Sequence, residues 1–281
     1  MKAPSFKGIL TSQPCKFVVG EAGTEFFLHS DLVKRESGAL GKIIDTSFAE
    51  GQKGLVVLRH DDAETISAFA QFIYTGNYSI SFDMSAPDTR NEPHDKGRHE
   101  DNKKRQWKQP RNGLWCKFNE SRIRYNTRSS DSYMIPRTAY CSESETDDTD
   151  YSDDSLFTTQ NMDKDYSELF ISQAKVFAFA HYYGVEILMD LSMGRLHEAL
   201  CGFRLSRERI GDILALVRYC YERPGPEKLK QLVAAYSAAI VNSQGSDVVA
   251  EYFRDLLRER GDFAADMAWF LACRVMGSER C

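Results

Sequence analysis

Long apolar runs are missing from this chain of 281 residues. No stretch approaches the roughly 18 consecutive apolar residues that a membrane-spanning helix needs. The N-terminal residues also lack the sustained apolar segment of a secretory signal. The sequence therefore predicts a protein with no membrane segment and no export signal, and we expect it inside the cell, in the cytoplasm or the nucleus.

Cysteine and histidine are sparse. The seven cysteines are scattered and odd in number, which fits reduced thiols better than a disulfide framework. Tight metal-ligand spacing is absent from the remaining candidates, which are His94, His99, Cys116 and Cys141. The sequence has neither a glycine-rich phosphate loop nor a G-x-S-x-G nucleophile elbow. We therefore expect no metal, no cofactor and no enzymatic activity.

Strong charge of one sign is missing as well. The net charge is −5, which does not favour nucleic-acid binding by the chain as a whole. Hydrophobic residues make up 42% of the sequence, enough for a substantial core. Changes in character along the chain predict three regions: 15–80, 81–165 and 166–276.

Residues 15–80 alternate short apolar runs with helical patterns. The runs "CKFVVG" and "TEFFLH" flank a glycine-bearing turn, which predicts a β-hairpin. The stretch "HSDLVKRESGALGKIID" predicts two short helices broken near Ser37 and Gly38, and "GLVVL" predicts a buried strand. In "DDAETISAFAQFIYTG" an acidic start, one apolar face and Gly76 as a stop signal predict a helix.

Residues 166–276 have the periodicity of amphipathic helices, with Pro224-Gly225-Pro226 as a break. The predicted buried faces are Phe170, Ala174, Phe177, Ala178 and His181; Met189, Met193, Leu196 and Leu200; Ile210, Ile213, Leu214, Val217 and Tyr221; Leu229, Leu232, Val233, Tyr236 and Ile240; Val249, Tyr252, Phe253 and Leu256; and Phe263, Met267, Phe270 and Leu271. These patterns predict an α+β protein that is mostly helical, with a small sheet.

The region 81–165 has few apolar residues and two blocks of opposite charge. Residues 90–128 contain twelve Lys or Arg against five Asp or Glu, whereas residues 142–165 contain nine Asp or Glu against one Lys. Such a segment buries too little apolar surface to offset the conformational entropy of ordering it. The sequence therefore predicts a long disordered insertion.

The ordered words of the first region resemble a BTB/POZ domain. The matching stretches are "FVVG", "EFFLHSDLVKRESGAL", "SFAEGQKGLVVL" and "DDAETISAFAQFIYTG", and the residues that carry the match are Phe26, His29, Val33, Ser37, Glu50, Leu55 to Leu58 and Tyr74-Thr75-Gly76. The stretch "AKVFAFAHYYGVEILMDLSMGRLHEAL" resembles the closing helices of that domain, which implies that these helices occupy 166–202 and that a C-terminal helical region follows at 203–276. "GDFAADMAWFL" resembles the C-terminal region of fungal BTB proteins. The resemblance implies a helical cluster flanked by a small sheet, and a protein-interaction function.

The resemblance also implies specific contact residues. Phe48 and Glu50 match the hydrophobic-x-Glu motif that many BTB adaptors present to a cullin scaffold. An exposed aromatic residue can fill a partner's pocket while a carboxylate fixes the register. The alternative is that Phe48 packs on its own core and Glu50 is solvated.

Members of this family also dimerise through the first helix and strand. Asp31, Leu32 and Arg35 lie on the corresponding helix and are candidate interface residues, although they equally suit an ordinary solvated face. Pro14 stands where many members have a buried aspartate, so the dimer built on that charged pocket is not implied.

Two functions follow for the whole chain. The first is a protein-interaction module that acts as a substrate adaptor for a cullin-type ubiquitin ligase. The alternative is a nuclear or transcription-associated homo-oligomeric scaffold without cullin binding, in which Lys103 to Arg111 carry import or contact nucleic acid. The acidic run from Ser142 to Ser155 would be a phosphorylation target, a partner for the basic run or a solubilising segment.

Overall fold

The computed structural model describes residues 6–49, 54–80, 165–203, 209–222, 224–241 and 246–275. Within them the chain is mostly helical with one small mixed sheet, which confirms the coarse α+β prediction. The predicted insertion lies outside the described residues except for Asp165. The described residues form two compact units. The sheet unit takes residues between 6 and 80 together with 171–196, and the helical unit takes 165–170 together with residues between 197 and 275.

The sheet consists of a hairpin and one further strand. Its strands are β1 (Pro14–Val19), β2 (Thr24–His29) and β3 (Leu55–Leu58). β1 lies in the centre, antiparallel to β2 and parallel to β3. Gly20 and Gly23 adopt φ values of 67° and 66° in the connecting turn, where a side chain would be strained. The predicted hairpin is confirmed.

Within the described residues, only one face of the sheet is covered. Cys15, Phe17 and Val19 of β1 are buried, while the alternate residues are half-buried or exposed. The prediction of a fully buried third strand is wrong in part. Val56 and Leu58 are buried, but Val57 is 49% exposed because the other face of the sheet is open.

Six helices of the described residues accompany or follow this sheet. They are α1 (Phe6–Thr11), α2 (Ser30–Glu36), α3 (Gly38–Ala49), α4 (Ala63–Thr75), α5 (Ser167–Tyr183) and α6 (Glu186–Gly202). The break between α2 and α3 falls at Ser37, as predicted. The core of the sheet unit brings together Phe17, Val33, Leu40, Ile44 and Phe69, all of which are fully buried.

The predicted end signals of α4 are confirmed. Asp62 precedes the helix, and its carboxylate accepts the backbone N–H of Thr65 at 2.9 Å. Gly76 follows the helix in the left-handed conformation with φ of 76°, and its N–H donates to the carbonyl of Phe72 at 2.7 Å.

The predicted face of α5 is correct at four positions and wrong at the fifth. Phe170, Ala174 and Phe177 are buried and Ala178 is half-buried, but His181 is exposed. The i, i+3, i+4 spacing continued this face to the wrong residue of the last turn, where Ala180 and Tyr183 are the buried side chains.

The helical unit is completed by four helices: α7 (Ile210–Glu222), α8 (Glu227–Val241), α9 (Ser246–Glu259) and α10 (Gly261–Val275). Every residue of the predicted faces of α7 and α8 is buried, and the predicted Pro-Gly-Pro break separates those two helices. In α10, Phe263 and Met267 are buried, whereas Phe270 and Leu271 are half-buried.

The described cysteines are not all in the same redox state. Cys15 and Cys220 are buried free thiols, in keeping with the expected reduced state. Burial raises the pKa of Cys15 to about 11, so this thiol stays protonated at neutral pH. Cys273, by contrast, is disulfide-bonded, contrary to the expectation that the cysteines are reduced.

Candidate functional site

The corner between α3 and β3 holds the predicted cullin-contact motif. Ser47, in the last turn of α3, is buried, and its Oγ donates to the carbonyl of Leu55 at 2.7 Å. Phe48 follows directly in the same helical turn, and Glu50 lies outside the described residues. This hydrogen bond connects the end of α3, where Phe48 lies, to the start of β3.

The three predicted interface residues of α2 have different surroundings. Leu32 is 4% exposed and belongs to the core of the sheet unit. Asp31 is half-buried, while Arg35 is exposed and donates to Glu36 at 2.6 Å. Of the three, therefore, only Asp31 and Arg35 offer side chains to a partner at the surface.

A buried serine joins α2, α3 and α5. Ser37 is fully buried, and its Oγ donates to the backbone carbonyl of Tyr183 at 2.6 Å. The same oxygen accepts the N–H of Leu40 at 3.1 Å and so caps α3. Tyr183 is held again through its hydroxyl, which donates to Asp61 at 3.2 Å. Burial raises the pKa of the Asp61 carboxyl above its usual range.

His29 ends β2 in contact with α4. Its backbone N–H donates to Tyr74 Oη at 3.2 Å, and its Nδ1 lies 2.7 Å from the same oxygen. Tyr74 therefore donates to Nδ1 when the imidazole is neutral with its proton on Nε2. His29 is half-buried, and these two contacts connect the end of β2 to α4.

The outer face of the sheet exposes apolar side chains beside an ion pair. Phe27 is 63% exposed, and on this face it lies next to Lys16, which salt-bridges Glu25 at 2.6 Å. Val18 and Val57 continue the face towards β3. Sequence analysis did not single out this surface. The signal was the adjacent pair Phe26-Phe27 in a strand, because alternation forces one of two neighbours outwards.

Arg195 of α6 contacts the segment that follows α4, just before the predicted insertion. The guanidinium of Arg195 lies 4.2 Å from the ring centroid of Tyr78, and it donates to the Tyr78 carbonyl and to the Asn77 side chain. The Tyr78 hydroxyl donates to Gln173 at 2.5 Å. Desolvation raises the pKa of Tyr78, so this hydroxyl remains a donor.

A buried ion pair lies in the helical unit. Arg209 and Asp212 are 2% and 0% exposed, with 3.4 Å between Arg209 Nη1 and Asp212 Oδ2. Asp212 also accepts the backbone N–H of Tyr166 at 3.2 Å, and Arg209 lies over the Tyr166 ring. The pair connects the start of α7 to the residues before α5.

His197 is buried in α6. Its ring nitrogens lie 3.7 Å from Cys201 Sγ, one helical turn later. Desolvation lowers the pKa of His197 from 6.5 to about 4.

Acidification is expected to destabilise the protein through His197. The folded state keeps this imidazole neutral, whereas the unfolded chain protonates it below about pH 6.5. Its stabilising contribution is therefore complete above that pH and is lost as the pH falls towards about 4, the folded-state pKa. We expect this group alone to lower the free energy of unfolding by roughly 2–3 kcal/mol between about pH 7.5 and 4.5.

Urea unfolding of the wild type and His197→Gln at both pH values measures this term. Titrations common to the two proteins cancel, so the variant should lose less stability on acidification. Equal losses in the two proteins would assign the pH dependence to other groups.

Within the described ranges, no three His, Cys, Asp or Glu side chains are placed to hold a metal ion together. No described helix is both long enough and apolar enough to cross a bilayer.

Comparisons of the chain with protein-family models, curated proteins and solved structures return no match. The geometry of the described residues is therefore the basis for assigning a function. Its exposed apolar side chains, among them Phe27 and Val57 in the sheet unit and Trp269 in the helical unit, are the features that suit binding another protein.

Proposed function

We propose that this chain is a non-enzymatic protein-interaction module of the BTB/POZ type. The observation that carries the proposal is a contact between separate stretches of the sequence that resemble this family. His29 lies in one such stretch and Tyr74 in another, 45 residues later, and their side chains form a hydrogen-bonded pair. Ser37, also a resemblance position, joins α2, α3 and α5.

The order of the elements supports the same proposal. The family pattern is a strand, an aromatic-x-x-His motif with a leucine-bearing helix and a serine, a second helix, an acidic loop, a strand and a helix that ends in Tyr-Thr-Gly. The sheet unit has this order from β1 to α4, and α4 ends at Thr75 with Gly76 as its cap.

The sharper form of the proposal is a substrate adaptor for a cullin-type ubiquitin ligase. Phe48 and Glu50 would make the contact, and the helical unit would position a second protein. The bond from Ser47 to Leu55 supports this form, because a fixed backbone before the motif limits the entropy lost on binding.

Phe48→Ala is expected to abolish binding to a cullin N-terminal domain. Truncating a central aromatic anchor typically weakens binding by about 2 kcal/mol or more, which is roughly thirtyfold. A pull-down with purified full-length protein measures the loss, and light scattering and thermal melting show whether the fold is retained. Ile43→Ala is the matched control, since Ile43 is an exposed apolar residue of the same helix.

Each result has a definite meaning. Loss of cullin binding in Phe48→Ala alone, with an unchanged melting temperature, supports the adaptor. Absence of binding by the wild type, together with destabilisation of Phe48→Ala by the few kcal/mol of a core truncation, makes Phe48 a packing residue. The non-cullin scaffold would then be tested by deleting residues 100–112 and following localisation.

A further inference from the structure

The outer edge of β2 has open backbone groups. In β1 the N–H of Lys16 donates to the carbonyl of Gly54, towards β3, so the odd-numbered residues of β1 bond β2. Their partners in register are the even-numbered residues of β2, from Thr24 to Leu28. The backbone groups of Glu25, Phe27 and His29 therefore point away from the sheet.

One of these three residues is already satisfied. The N–H of His29 donates to Tyr74 Oη. No hydrogen bond joins the backbone groups of Glu25 or Phe27 to any other residue of the described structure. Two residues at this edge, Glu25 and Phe27, therefore have backbone groups that can bond another strand.

The opposite edge of the sheet is better protected. β3 has only four residues, and the carbonyl of Leu55 accepts the Ser47 hydroxyl. Proteins usually blunt an exposed edge with a short strand, a lysine or a proline. β2 instead has six residues and carries Phe27, which is 63% exposed, at its open edge.

We propose that two copies of this chain associate through this edge, with β2 pairing antiparallel to β2 of the second copy about a two-fold axis. The sheet then has six strands, with Glu25 of each copy opposite Phe27 of the other. Both open residues exchange N–H and C=O bonds with the second copy, and His29 keeps its bond to Tyr74.

Neighbouring registers fit less well. Sliding the strands by one step in one direction places His29 opposite Glu25 of the second copy, so its N–H would have to leave Tyr74. Sliding them the other way places the two Glu25 carboxylates directly opposite each other, which is unfavourable. It also leaves Phe27 facing Gly23 of the turn, without a side chain to pack on.

Self-association suits this edge for two reasons. The two-fold axis makes the two Phe27 residues diagonal neighbours on one face of the sheet. At that separation aromatic side chains can reach each other. Each Glu25 is paired with Lys16 of its own copy at 2.6 Å, and in this register it faces Phe27, so the two carboxylates do not lie directly opposite each other. Closure about the axis occupies both open edges and predicts a dimer rather than a filament.

This inference rests on the proposed interaction function, for which it names one partner, but not on the cullin contact. Sedimentation velocity of the full chain over about 1–100 µM is the first measurement, a range that detects dissociation constants near the micromolar level. The wild type should show a monomer–dimer equilibrium. Phe27→Lys should raise the dissociation constant about tenfold or more, because the change acts in both copies.

Val57→Lys is the matched control. Val57 is on the same face of the sheet and 49% exposed, but it lies on the other edge strand. Its lysine variant should dimerise as the wild type does. A wild type that is monomeric throughout, or a Phe27→Lys variant with unchanged self-association, overturns the proposal.

Paired cysteine variants test the register. Opposite residues of a hydrogen-bonded pair have Cα atoms about 5.5 Å apart, within disulfide range, whereas diagonal ones are about 7–8 Å apart. Oxidation of Glu25→Cys mixed with Phe27→Cys should give more linked dimer than either variant alone, with the wild type as background for the native cysteines. Equal linkage without mixing would contradict this register.

The two proposals are tested independently. Unchanged self-association of Phe27→Lys overturns the edge dimer, whatever the cullin binding. Unchanged cullin binding by Phe48→Ala overturns the adaptor, whatever the self-association.

Discussion

Replacing Ser37 with alanine is expected to lower the free energy of unfolding by about 2–4 kcal/mol. The hydroxyl is fully buried, donates to the carbonyl of Tyr183 and accepts the N–H of Leu40. Alanine removes the cap of α3 and leaves the Tyr183 carbonyl, at the end of α5, without this donor. Urea denaturation followed by circular dichroism measures the change.

Thr46→Ala is the control for this experiment. Thr46 is an exposed residue of α3 whose hydroxyl donates to the carbonyl of Lys42 at 2.9 Å. Losing an exposed bond of this kind should change stability by no more than about 0.5 kcal/mol. If Ser37→Ala is equally mild, the join between the α2–α3 corner and α5 contributes little, and one support for the BTB-type arrangement is lost.

The local parts of the fold were predictable because their signals lie next to the structures they form. The turn around Gly23 specifies the hairpin, and Asp62 and Gly76 mark the two ends of α4 through bonds to residues three or four positions away. The predicted faces of α7 and α8 were correct for the same reason, since a helix repeats its own spacing.

The candidate surfaces were less predictable because they depend on contacts between distant residues. The bond between Ser37 and Tyr183 joins residues 146 positions apart, so no local sequence pattern predicts it. The exposure of Val57 follows from the open face of the sheet, which the apolar run "GLVVL" does not reveal. For Leu32, the resemblance suggested an interface residue, but its surroundings in the fold make it part of the core.

Phe27 shows the limit most clearly. Alternation in a strand predicts that Phe26 and Phe27 face opposite ways, but not which edge of the sheet is open. That answer required the position of β1 in the centre of the sheet and the bond from His29 to Tyr74.

Asp212→Ala is expected to be the most damaging single change in the helical unit, lowering the free energy of unfolding by about 3–5 kcal/mol. The carboxylate is fully buried, lies 3.4 Å from Arg209 and accepts the N–H of Tyr166. Without this carboxylate, the Arg209 guanidinium, which is only 2% exposed, loses the negative charge of its ion pair. The free energy of burying the positive charge is then no longer offset by that pair, which destabilises the folded state.

The double variant Arg209→Met with Asp212→Leu separates charge from packing. It removes both charges and fills similar volume, so it should be more stable than Asp212→Ala even though it carries more changes. Thermal and urea unfolding of the two variants and the wild type give the comparison. If the double variant is as unstable as the single one, the loss arises from the bond to Tyr166 and local packing. Asp212 then acts mainly as an anchor for the chain entering α5, and the ion pair with Arg209 adds little net stability.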